Sequence, residues 1–409
     1  MKRLLFILSF MLGFTSFGQT QNDWDKRASF GGLKRTRAVA FAIGDYGYVG
    51  TGLDTAEMTH NDLWKYDPSF NTWTQVASIP GSTRRNAVGV AIGEKGYVGT
   101  GADSATSWMG NILSDWWEYD PVLNTWTGKA SYPGGYDMWN NTNFSGGVYF
   151  ATAFSIGSKG YICGGKMGSD FYGTDLWEYD PLLDTWTRKA NFPGLDRYQL
   201  SSFSIDGKGY VGMGVDHDLY RKDWWQYDPQ LDSWQQVADL PGVERGGSAT
   251  FVLGQRGFVV FGADGGYKDE LWEYNPFNDS WQIRANFPGG ERKNGIAFAI
   301  GDSAYAGTGK GYSGKKRSFY RYYPLLPVGT EENQLSIEVY PNPASNYLKI
   351  DGNSQLFTSV ELYDMRGTKV LQSESTYIDI TSLSEGTYVI LISDATNTPV
   401  QTDKIIIRR

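Results

Sequence analysis

Leu63-Trp64-Lys65-Tyr66-Asp67-Pro68, followed two residues later by Asn71-Thr72-Trp73-Thr74, decides the fold. The first run alternates as a half-buried strand, Asp-Pro opens a turn, and the lone Trp sits in a second strand. The chain writes this pair of strands again and again. The tyrosine recurs as Tyr119, Tyr179, Tyr227, Tyr274 and Tyr322, and the tryptophan as Trp24, Trp126, Trp186, Trp234 and Trp281. A third signature, Gly47-Tyr48-Val49-Gly50-Thr51-Gly52, returns with its aromatic at Tyr97, Tyr161, Tyr210, Phe258 and Tyr305. Successive tryptophans lie 49, 53, 60, 48 and 47 residues apart, a period that marks a repeat architecture of small β-units.

Each unit reads as four strands, lettered A to D from the inside outward. In the first unit an apolar strand A is expected over 38–43, strand B over 48–52, strand C over 63–67 and strand D around Trp73. These motifs resemble the kelch repeat over roughly three quarters of the chain. The resemblance implies an all-β, six-bladed kelch-type β-propeller, expected over residues 19–327. The family's Gly-Gly doublet at the end of strand B stands only at Gly164-Gly165; the other units keep the second glycine alone. Trp24 occupies a strand D with no A, B or C before it, while the sixth unit has A, B and C but no D. The N-terminal strand is therefore expected to complete the last blade, which removes exposed sheet edges.

Antiparallel blades put the A–B and C–D turns on one face and the D–A and B–C loops on the other. From Ile43, Ile92, Ile156, Ile205, Leu253 and Ile300 to the next strand-B aromatic is always five residues. On the other face the Trp-to-Ile spacing is 19 in five units but 30 before Ile156, and the B–C loop before Tyr119 is also extended. Variable loops on a rigid scaffold are where binding residues concentrate. The two long loops carry Trp108, Tyr136, Trp139, Asn140 and Asn141, aromatic planes beside amides that suit carbohydrate; the bland reading has them packing within the loop.

An arginine stands eight residues before the end of strand A in five units: Arg35, Arg84, Arg197, Arg245 and Arg292, with Val148 in the third. These could ring the channel mouth and bind carboxylate or sulfate bidentately. The structural reading pairs them with the acids before strand C: Asp62, Asp115, Asp175, Asp223 and Glu270. A one-to-one pairing within blades is not expected, because unit 3 lacks the arginine and unit 6 has Ser318 in place of the acid.

Kelch-type propellers include enzymes, among them galactose oxidase and a sialic-acid mutarotase. Copper–radical chemistry needs two His and two Tyr on the metal, one Tyr cross-linked to Cys. This chain has only His60 and His217, in units 1 and 4, and Cys163 sits inside a strand as small filler. No metal-spaced cluster, nucleophile triad or phosphate loop is read, so no cofactor, no metal and no catalytic residue is expected.

The 409 residues carry a net charge of −8 without a basic block, which disfavours nucleic acid as a partner. Lys2-Arg3 followed by the apolar run from Leu4 to Phe17 and then Gly18 reads as a secretory signal peptide, residues 1–18, rather than a membrane anchor. With one cysteine, no internal disulfide is available. After a linker at 328–334 the period stops, and residues 335–409 alternate as a small β-sandwich. Ile337-Glu338-Val339-Tyr340-Pro341-Asn342-Pro343-Ala344, Val360-Glu361-Leu362-Tyr363-Asp364-Met365-Arg366-Gly367 and Leu383-Ser384-Glu385-Gly386-Thr387-Tyr388 come in the family order of the type A sorting domain of type IX secretion, which they resemble. That resemblance implies a Bacteroidetes-like source, recognition by the secretion machinery and a secreted or surface destination. The functional expectation is a non-catalytic binding or adhesion propeller for a glycan or surface polysaccharide; the alternative is a carbohydrate-active enzyme of mutarotase or lyase type.

Overall fold

A computed structural model describes residues 22–104, 111–137, 142–144, 146–167, 172–324, 338–351, 359–393 and 399–409. The expected signal peptide and linker lie outside the described residues. The chain divides into two compact units, Met1–Pro324 and Leu325–Arg409, and the described residues hold only strands, turns and loops.

The first unit is a ring of six four-stranded antiparallel sheets. In blade 1 the strands are Val39–Ile43, Tyr46–Gly50, Leu63–Asp67 and Thr72–Val76. Ile296–Ile300, Ser303–Gly307 and Phe319–Tyr323 form three strands of blade 6, and Asp23–Lys26 is its fourth, with Trp24 opposite Tyr322. Neighbouring strands A meet around the whole ring, including the last against the first. Strand B begins and ends two residues earlier than the sequence suggests. The cause is the backbone at its end: Thr51 and Gly52 have φ of +58 and +94, which strand geometry does not allow. The residue before the final glycine is left-handed in every blade, as Thr51, Thr100, Gly164, Met213, Phe261 and Thr308. Only blade 3 satisfies that conformation with glycine, which explains the missing doublets.

Blades pack through aromatic rings laid on glycine. A Cβ on Gly96 would come within 2.4 Å of the Phe41 ring of the preceding blade, and one on Gly209 within 2.3 Å of Phe154. A side chain there would hold the blades apart. At the outer edge each strand-D tryptophan reaches back to the blade before it. Trp73 donates its indole N–H to the Ala28 carbonyl and Trp126 donates to Ala77. Asn71 completes the latch by accepting from the Ala28 amide and the Tyr66 hydroxyl, both at 2.9 Å. Ring closure uses the same device, with Trp24 donating to the Ala285 carbonyl and Asn22 accepting from the Ala285 amide and Tyr322.

The second unit has a three-stranded sheet, Glu338–Tyr340, Tyr347–Asp351 and Tyr377–Asp379, and a four-stranded sheet ordered Lys369–Ser373, Ser359–Asp364, Gly386–Ser393, Pro399–Ile407. Leu348, Ile350, Val360, Leu362, Ile390, Ile392 and Ile405 form part of its buried core.

Candidate binding face

The six strands A surround a channel of about 400 Å³. Small residues keep it open: Ala40, Ala42, Ala91, Ala297 and Ala299 on one side, and Thr152, Ser202 and Thr250 on the other. The polar side is tied together by the Thr152 and Ser202 hydroxyls at 2.6 Å and by Thr250 donating to the Ser202 carbonyl.

At the end of the channel where the D–A loops enter, the backbone closes into a hydrogen-bonded ring. The Asn86 amide donates to Arg37, Phe150 to Asn86, Gln199 to Phe150, Gly247 to Gln199, Asn294 to Gly247, and Arg37 to Asn294, at 2.7–3.1 Å. All six residues have φ between +50 and +70. Gly and Asn accept this conformation readily; Arg37, Phe150 and Gln199 hold it at a cost of about 1–2 kcal/mol each. Strain kept by large side chains at one mouth singles that mouth out. Sequence reading missed the ring, although its signal was present: each member stands six residues before the end of strand A.

The arginines expected to crown the mouth do not face it. Arg35, Arg84, Arg197, Arg245 and Arg292 are at most 1% exposed. Four of the five pair inside their own blades with the acid before strand C. Arg35 forks onto Asp62 at 2.5 and 2.8 Å, Arg84 onto Asp115 at 2.7 and 2.6 Å, and Arg197 onto Asp223; Arg245 meets Glu270. The acids also accept the strand-C indoles, as Asp62 does from Trp64 and Asp115 from Trp117. Several of the guanidinium groups grip the carbonyl of the left-handed residue ending strand B, as Arg35 grips Thr51 and Arg292 grips Thr308. The two exceptions are resolved locally. In blade 3 Arg188, from Thr185–Lys189, pairs with Asp175; in blade 6 Arg292 donates to Ser318. These five residues are structural because their hydrogen-bonding edges are turned inward, and they are withdrawn as ligand contacts.

Trp108, Trp139, Asn140 and Asn141 lie outside the described residues. Tyr136 is in a short strand, Gly135–Asp137, paired with Thr142–Phe144. Around the mouth, blades 3 and 4 carry an aromatic shelf that the sequence reading did not single out. Tyr172 stacks on Tyr198 with centroids 5.2 Å apart, Phe150 lies 5.7 Å from Tyr198, and Tyr149 lies 5.5 Å from Phe150. Phe150, Tyr172 and Tyr198 are half-buried, so ring surface remains accessible. The Lys166 ammonium sits over both Tyr172 and Tyr198. Burial, with Tyr172 and Asp218 nearby, pushes the Tyr198 hydroxyl up to about 12, so it serves as a neutral donor and acceptor. His217 stands edge-on to Tyr172 and approaches Asp196 and Asp216, at 3.5 and 3.8 Å. His60 belongs to another blade and bonds Asp54. Cys163 is fully buried, and that burial pushes its thiol up.

Residues 338–408 match the family model described as Secretion system C-terminal sorting domain. No curated protein matches the chain. A solved structure titled "Structure of YjhT" is similar in fold, with a TM-score of 0.58 and 16% identity over 71% of this chain and 94% of that one. With 770 solved chains matching, that likeness speaks for the propeller fold alone, since such folds host unrelated functions. Among the described residues no helix is long and apolar enough to cross a membrane. The matched tail marks this propeller protein for export through type IX secretion, to the cell surface or the medium.

Proposed function

We propose that the exported propeller is a non-catalytic saccharide-binding module, with its site at the channel mouth on the face of the D–A and B–C loops. The observation that carries this reading is the aromatic shelf. Sugar C–H faces pack on aromatic planes, and Tyr172, Tyr198 and Phe150 offer such planes beside a polar rim. Truncating one anchor of such a site costs roughly 1.4–2.8 kcal/mol, a loss of about tenfold to a hundredfold. A glycan array on the full-length exported protein would identify the ligand. Tyr198→Ala should then weaken it by at least tenfold with an unchanged melting temperature. Equal affinity in wild type and Tyr198→Ala for every glycan retained by the array would sink the reading.

One observation favours the alternative, a carbohydrate-active enzyme. His217, Asp196 and Asp216 bring a base and two acids within 4.8 Å of one another beside the shelf, the kind of pairing general acid–base chemistry needs. His217→Gln separates the readings. A binder keeps its affinity and shows no turnover before or after the change, whereas an enzyme loses turnover with little change in affinity.

A further inference from the structure

The mouth has a second feature on the far side of the ring, where blades 5, 6 and 1 meet. A pocket of about 260 Å³ is lined by Arg37, Lys293, Lys310, Lys315, Tyr267 and Glu57, among others. Four cations face one acid. Lys315 is buried and satisfied: it pairs with Glu57 at 2.5 Å and donates to the Asp54 carbonyl. Among the described residues, Arg37, Lys293 and Lys310 have no ion pair within 4 Å. Arg37 instead lies 5.3 Å over the Phe150 ring, and its Nε is buried with no hydrogen-bond partner. Lys293 sits 6.0 Å over Tyr267.

We propose that Arg37, Lys293 and Lys310 form an oxyanion site, taking a sulfate or carboxylate group of a ligand entering the channel mouth. Cations are rarely left together and partly desolvated unless something neutralises them, because both the repulsion and the lost hydration oppose folding. For Arg37 and Lys293, burial first and neighbouring cations second disfavour the charged form. Burial and Arg85 hold Arg37 down at about 10, and burial with Arg37 and Lys310 lowers Lys293. An oxyanion would relieve this repulsion and give the orphaned Arg37 Nε an acceptor, and guanidinium suits such groups in a fork.

Calorimetric titration of the full-length protein with inorganic sulfate, at ionic strength fixed with chloride, tests the site. Wild type should give saturable binding. Arg37→Asn/Lys293→Gln should bind at least tenfold more weakly. Asparagine already occupies the equivalent left-handed positions 86 and 294, so the fold should stand. In chloride the variant should melt close to wild type, since the repulsion it sheds offsets the lost ring contacts with Phe150 and Tyr267. Lys95→Gln, from the opposite face, should bind as wild type does. No saturable heat, equal binding by the double variant, or an equal loss in Lys95→Gln would overturn the proposal. Oligosaccharides bearing sulfate or uronate, each against its neutral parent, identify the source of the oxyanion. Sulfate binding that survives in Tyr198→Ala separates this site from the aromatic shelf.

Discussion

Arg84 is wholly buried and forks onto Asp115, which is about a third exposed and also accepts from the Trp117 indole. Removing the cation leaves a carboxylate facing a dry arginine hole, and breaking such pairs costs about 3–5 kcal/mol. With Asp115 partly wet, Arg84→Met should lose about 3 kcal/mol in urea unfolding. The pH dependence has a definite sign. Burial alone would raise the Asp115 carboxyl, but the Arg84 hydrogen bond and charge and the Trp117 indole outweigh it and hold it below its ordinary value; Glu270 is held down likewise. A group depressed in the folded state contributes stability that is full above its unfolded value, near ~4, and is lost as pH falls through the folded value. Wild type should therefore weaken steeply below about pH 4, and Arg84→Met should show a shallower acid limb. An identical acid slope in both proteins would refute the assignment. The sequence revealed the arginine and the acid as recurring positions and offered their pairing as the structural reading, but it did not show that the pairing runs blade by blade. Counting by blade made Val148 and Ser318 look like failures of pairing, because nothing in linear spacing tells that Arg188 enters from strand D to serve Asp175.

Strands were legible because their side chains alternate. Strand C was read to the residue, as Leu63–Asp67, while strand B was misread at its end because left-handed threonines look like strand residues. The latch between blades depends on a single side chain two residues before the strand-D tryptophan. Asn71, Asn124 and Asn22 serve in three blades, and Asp184, Asp232 and Asp279 in the others. Asn124 accepts from the Ala77 amide and the Tyr119 hydroxyl at φ +54. Asn124→Ala strips the one oxygen that accepts both bonds and sets an alanine at a left-handed turn, which should cost about 2–3 kcal/mol. Asn124→Asp keeps the oxygen and the conformation, so it should lie within about 1 kcal/mol of wild type. Thermal and urea unfolding of the two variants decide this; equal losses would mean that the side-chain oxygen does not hold the blades together. The binding face was less legible than the strands. A left-handed residue at 37 or 150 has no composition signal, and the shelf joins residues from three separate loops.

At the scale of the molecule, closure rests on the N-terminal segment. Residues 22–30 supply the outer strand of blade 6, the Trp24 latch onto blade 5 and the Ala28 carbonyl and amide that receive the latch of blade 1. Deleting them should leave two seams of the ring open, broaden the unfolding transition and lower its midpoint; cooperative melting at the wild-type temperature would refute closure by this segment. The tail presents the complementary case. The contacts divide the chain at Pro324 and Leu325, each side with its own buried core, and all the strands and latches of the ring lie before that division. A chain ending at Pro324 should therefore unfold with the same midpoint as the ring in the full-length protein, and its aromatic shelf should bind what the full-length protein binds. It lacks residues 338–408, the matched sorting domain, so it should accumulate inside the outer membrane of a type IX-competent host instead of reaching the surface or medium. Fractionation of cells expressing the two chains, with melting of the purified proteins, reads both halves of the prediction. A folded, shortened chain that still appeared outside the cell would show that the propeller carries its own export signal.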